Sequence, residues 1–145
     1  MHKWHATLPA VGVDIDAYAG LYLHMPKSKW PDENEDRVVF IFSRLQLIAL
    51  EHAVIEGGIN RIETIRSVLG EKAAQAIRSA RAKIAAVLAK EAPIVFSVME
   101  LMVLEHVVIE GGIKRIATIR GVLGEAFAHS MTSAYEKIAR EIESL

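Results

Sequence analysis

LEHAVIEGGINRIETIRSVLGE, residues 50–71, returns as LEHVVIEGGIKRIATIRGVLGE, residues 104–125. The offset is 54 residues and runs without a gap from residues 38–91 onto residues 92–145, so the chain is a tandem duplication. Over residues 42–71, 21 of 30 positions match their counterparts, whereas over residues 72–91 only 6 of 20 do. Divergence has therefore spared one kernel, Glu-His-x-x-x-Glu-Gly-Gly-Ile-x-Arg. A duplicated chain folds about a pseudo-two-fold axis, and anything at that axis is lined twice by the same side chains.

Working outward from the kernel, Asp32 followed by Glu35 is a helix-start signal and predicts a first long helix to about Glu56. Gly57-Gly58 ends or kinks that helix, because two glycines inside a helix cost about 2 kcal/mol relative to alanine. Ile59, Ile62, Ile65 and Leu69 restart a helical spacing until Gly70. Glu71 to about Lys90 reads as an alanine-rich amphipathic helix with Ile77, Ala80, Ile84 and Leu88 on one face. Pro93 suits the first turn of the next long helix. The second copy repeats the plan, with Met131, Ala134, Ile138 and Ile142 as its stripe. No alternating strand pattern is present in the repeats. The predicted fold class is all-α, a helical bundle built from a duplicated three-helix unit, with residues 32–145 as a single helical domain. Residues 1–31 lie outside the repeat and hold both tryptophans, three of the four prolines and two of the three tyrosines. They read as an extended, irregular aromatic arm that needs a surface to cover.

Composition narrows the function. Hydrophobic residues make up 52% of the chain and its mean hydropathy is +0.25, which predicts all-round burial of some helices, an oligomer, or a larger protein partner. The net charge of −1 offers no general basic field for nucleic acid or anionic lipid. Without cysteine there are no disulfides and no thiolate metal sites. The apolar stretches 38–56 and 92–110 carry two and three glutamates respectively and a histidine each, and a charge at a helix centre costs roughly 2.5–3.5 kcal/mol in a membrane. Burial in protein is the expectation for both. The first residues contain no apolar signal core, so a cytoplasmic location is expected.

The kernel carries the candidate chemistry. His52 and Glu56 are four apart on a helix and share a face, as do His106 and Glu110. One imidazole and one carboxylate per helix is a common way to offer ligands to a transition metal ion. Two such helices at the pseudo-dyad would supply His52, Glu56, His106 and Glu110 to iron, manganese or zinc. Glu51 and Glu105 would act as outer or bridging carboxylates, although each is about 100° round the helix from its neighbouring histidine. Arg61, Arg66, Arg115 and Arg120 would orient the ligand carboxylates. Redox-active iron or manganese would open oxygen chemistry, and zinc with every position filled would be structural.

The same residues support a second account. Glu51 and Glu56 balance Arg61 and Arg66, and Glu105 and Glu110 balance Arg115 and Arg120, so a Glu–Arg–His network needs no metal. On that account the chain is a non-catalytic accessory or assembly subunit, forming a homo-oligomer or meeting a partner protein through residues 1–31. A weaker reading lets the Gly-Gly-Ile-x-Arg turn hold an anion on free backbone N–H groups and Arg61 or Arg115.

Overall fold

The computed structural model describes residues 37–90 and 92–145; the arm over residues 1–31 and the Asp32 cap fall outside the described residues. The chain runs β1 (Arg37–Phe40), α1 (Arg44–Gly57), a 3₁₀ turn (Ile59–Arg61), α2 (Ile62–Leu69) and α3 (Glu71–Lys90). The second copy follows as β2 (Ile94–Ser97), α4 (Val98–Gly111), a 3₁₀ turn (Ile113–Arg115), α5 (Ile116–Leu123) and α6 (Glu125–Glu143). The helical bundle of repeated three-helix units is present. No described helix is long and apolar enough to cross a membrane.

Two local expectations need correcting. The first long helix begins at Arg44 rather than near residue 32, and residues 37–40 are a strand. Pro93 precedes β2 and does not open a helix. The true start signals are Ser43 and Ser97, each of which accepts from the backbone N–H three residues on, at Gln46 and Glu100. The Gln46 and Glu100 side chains accept in turn from the Ser43 and Ser97 N–H groups, at 2.8 Å each. That reciprocal box satisfies two of the helix's orphan donors, so it outcompetes an upstream aspartate as the place to begin.

The strands are what the pseudo-symmetry makes of the residues before those caps. β1 and β2 pair antiparallel, with Arg37 opposite Ser97 and Phe40 opposite Ile94. Phe40 and Ile94 are counterparts 54 residues apart, so the pseudo-dyad passes between them. A second pair of counterparts marks the axis again, because the ends of α1 and α4 cross at Gly57 and Gly111. A Cβ on Gly57 would overlap Val107 O and lie 2.6 Å from Gly111 N, and one on Gly111 would overlap Ala53 O and Gly57 N. All of these obstacles are backbone, which cannot swing aside. The glycines are there to let two helices touch.

Around that crossing, α3 and α6 each pack against both central helices, while α2 and α5 lie on α3 and α6 respectively. The core joins Leu47, Leu50 and Val54 of α1 to Leu101, Leu104 and Val108 of α4. Ile77, Ala80 and Ile84 close it from α3, and Met131, Ala134, Ile138 and Ile142 close it from α6. Burial of each large aliphatic contributes about 1.5–3 kcal/mol, so this layer is the main source of cohesion. Gly70 and Gly124, both at φ 97°, make the turns from α2 to α3 and from α5 to α6, a backbone region that side chains avoid.

Candidate functional site at the pseudo-dyad

The kernel glutamates and arginines meet across the repeats rather than within them. Arg115 Nη1 lies 3.5 Å from Glu56 Oε1, and Arg61 Nη1 lies 3.7 Å from Glu110 Oε1. Position 60/114 adds a local contact on each side. Lys114 Nζ donates to Glu110 Oε2 at 2.8 Å, and Asn60 Nδ2 donates to Glu56 Oε2 at 3.5 Å. Both arginines sit in the 3₁₀ turn just after the glycine crossing, which aims each at the opposite helix end. Half-exposed ion pairs of this length contribute about 0–1 kcal/mol each. They set which glutamate faces which arginine, and the packed crossing supplies the strength.

The other predicted residues separate from this pairing. Arg66 pairs with Glu63 and with Glu71 at 2.6 Å, and Arg120 pairs with Glu125 at 2.7 Å, so both pin a short helix to the one that follows it. Among the described residues no arginine forms an ion pair with Glu51. His52 is half-buried and meets the Phe127 ring of α6 edge-on, with centroids 5.7 Å apart. His106 and Glu105 are buried, at 1% and 2% exposure. Burial, and after it the charge of Glu143, pushes the Glu105 carboxyl up to about 7. Burial and the nearby Glu105 charge push the Tyr135 phenol up to about 12. Among the described residues no three His, Asp or Glu side chains group so as to hold a metal ion.

A different duplicated site emerges at the start of α1 and α4. Buried Glu100 accepts from Ser79 Oγ and Lys83 Nζ of α3, the latter at 2.6 Å, while capping its own helix. In the other copy, buried Gln46 donates to Ser133 Oγ at 2.8 Å and accepts from Lys137 Nζ at 3.1 Å, both on α6. Ser79 and Ser133 are counterparts, as are Lys83 and Lys137. Burial raises the Glu100 carboxyl, but its bonds to Lys83, Ser79 and the Ser97 N–H outweigh burial and hold it below the ordinary carboxylate range. This pair of polar clasps ties each central helix to the third helix of the opposite repeat through counterpart residues. A signal for it exists in the sequence. The six matches across residues 72–91 include Ser79 and Lys83, together with the buried Ala74, Ala80 and Ile84.

No family model, curated protein or solved structure matches the chain.

The geometry divides into locks and exposed apolar residues, which include Val122 at 76% and Leu123 at 44% on α5. The glycine crossing, the exchanged Glu–Arg pairs and the two clasps all join repeat to repeat. The outward face of α1 carries none of these and is the least covered apolar surface among the described helices' central pair. Val39, Ile41, Leu45 and Ile48 are 61%, 75%, 37% and 37% exposed.

Proposed function

We propose that this chain is a non-catalytic assembly subunit, in which the kernel locks two repeats together and an open aliphatic face meets other protein. The observation that carries the reading is the stripe of Val39, Ile41, Leu45 and Ile48 left in water, where Met99 and Met102, the α4 counterparts of Leu45 and Ile48, are buried. Exposed aliphatic stripes of this kind mark protein contacts. The exchanged pairs Glu56–Arg115 and Glu110–Arg61 support it further, since they use the kernel charges within the chain.

A transition metal ion held by His52, Glu56, His106 and Glu110, with Glu51 or Glu105, is the second reading. What favours it is the burial of His106 beside Glu105, where an imidazole and a carboxylate are withdrawn from water together. Against it stand the engagement of Glu56 and Glu110 by arginines and the packing of His52 on Phe127.

The assembly reading is tested by the molar mass of the full chain in solution, measured by light scattering at tens of micromolar. It expects at least two chains per particle, against 16.0 kDa for one. Repeating the measurement without residues 1–31 tells whether the arm or the bundle holds the particle together. A full chain that stays at one-chain mass and carries stoichiometric metal would overturn the reading.

A further inference from the structure

We infer that the open face of α1 is the docking surface for a second copy of this chain, the two α1 helices lying antiparallel about a two-fold axis at Ile48. The inference rests on the assembly reading and names its partner. The face is a single helical wedge. With Ile48 at its centre, Arg44, Leu45, Glu51, His52 and Ile55 all fall within about 60° on either side at 100° per residue. Each of these positions is exposed or half-buried, while Leu47, Ala49, Leu50, Ala53 and Val54 on the other side are buried. Val39 of β1 and Ile41 just after it are also exposed and extend the apolar surface beyond the helix.

The counterpart wedge on α4 is covered, in contrast to that on α1. Val98, Met99, Met102, Glu105, His106 and Ile109 occupy the same six places and are all buried. The two wedges differ most at Arg44, which is Val98 in the second copy. An arginine there is out of place against a core and in place against an acid.

Charge complementarity within the wedge selects a second copy. Arg44 and Glu51 lie on the same edge, one turn below and one turn above Ile48. An antiparallel two-fold pairing keeps each residue on its own edge and inverts its height, so Arg44 of one copy meets Glu51 of the other, twice. Leu45 meets His52 in the same way on the opposite edge, and Ile48 meets Ile48. Arg44 is uncommitted enough for this role, since its Nη1 makes one exposed 3.4 Å hydrogen bond to Leu88 O and no ion pair among the described residues. Glu51 likewise has no ion pair there. Near-antiparallel helices packing through aliphatic ridges are a common geometry for such a contact, and an isologous contact closes into a dimer.

The test is sedimentation of the full chain across about 1–200 µM, with four variants checked for helix content by circular dichroism. The wild type should show a reversible monomer–dimer equilibrium. Ile48→Glu should raise its dissociation constant by tenfold or more. Arg44→Glu and Glu51→Arg should each weaken it by about tenfold, because each change spoils two pairs, and the double swap should recover it to within about threefold. A wild type that remains monomeric throughout would overturn the proposal. So would an assembly untouched by Ile48→Glu, which would leave the assembly reading standing through another surface, and so would a double swap that stays as weak as its parents. Should Ile48→Glu fail to fold, the three charge variants decide the matter alone.

Discussion

Replacing Gly57 or Gly111 by alanine is expected to cost about 3 kcal/mol of stability each, the upper end for overpacking a rigid contact. A methyl group on either residue meets backbone atoms of the opposite helix, with Gly111 N 2.6 Å and Gly111 Cα 2.9 Å from a Cβ on Gly57. Relief requires α1 and α4 to part along their whole contact, which strips packing from Leu50, Val54, Leu104 and Val108 as well. Gly121 is the control. It lies inside α5, a Cβ there meets nothing within 4 Å, and Gly121→Ala should stabilise by about 0.5–1 kcal/mol through helix propensity alone. Denaturant unfolding of the three variants checks both signs. Equal small effects at Gly57 and Gly121 would show that the crossing is not a close contact.

The second large effect is one of pH. Glu105 titrates near 7 in the folded chain against an ordinary value of 4.5, with burial the main cause and Glu143 the lesser one. A raised carboxyl means that the folded state holds its proton after the unfolded state has released it. Stability therefore falls as pH rises from about 4.5 to about 7, by up to about 3 kcal/mol at roughly 1.4 kcal/mol per pH unit. Glu100 acts with the opposite sign, since its lowered carboxyl contributes stability that is lost only as pH falls below the ordinary range. Histidines also titrate between pH 5 and 8, so the difference between the wild type and Glu105→Gln, and not either profile alone, isolates Glu105. Glu105→Gln should match the wild type near pH 4.5 and exceed it above pH 7, measured as the guanidinium midpoint at both ends. Parallel profiles for the two proteins would contradict the assignment.

Much of this fold is legible in the residues, and the failures have physical causes. Gly57-Gly58 and Gly70 punctuate as their conformations demand, and the stripe Met131, Ala134, Ile138, Ile142 is wholly buried as its spacing implies. The strands are missed because each spans four residues and its apolar run merges into the helix that follows. A four-residue strand acquires its identity from its pairing, which here comes from 54 residues away. The capping boxes at Ser43-x-x-Gln46 and Ser97-x-x-Glu100 are written in the sequence and give the correct starts once preferred over Asp32.

For the candidate site, charge balance picks out Glu56, Glu110, Arg61 and Arg115, but it also counts Glu51, Glu105, Arg66 and Arg120, which lie outside that pairing, and it does not give the partners. Sequence spacing favours pairing within a repeat, whereas the glycine crossing carries Arg61 and Arg115 to the opposite helix. The unequal fates of His52 and His106 are also invisible in a kernel whose two copies read alike. They follow from surroundings, since His52 lies on the open face of α1 and His106 on the buried face of α4.

On the proposed reading the duplicated Glu-His-x-x-x-Glu kernel locks repeat to repeat within the chain and is not a ligand set. The most direct measurement is the metal content of each chain, by elemental mass spectrometry on untagged protein purified without chelator. The account predicts well under one equivalent of iron, manganese or zinc per chain, with helix content and thermal stability unchanged by added chelator. One or two retained equivalents, lost when His52 and His106 are replaced by alanine, would contradict it and make the kernel a metal site.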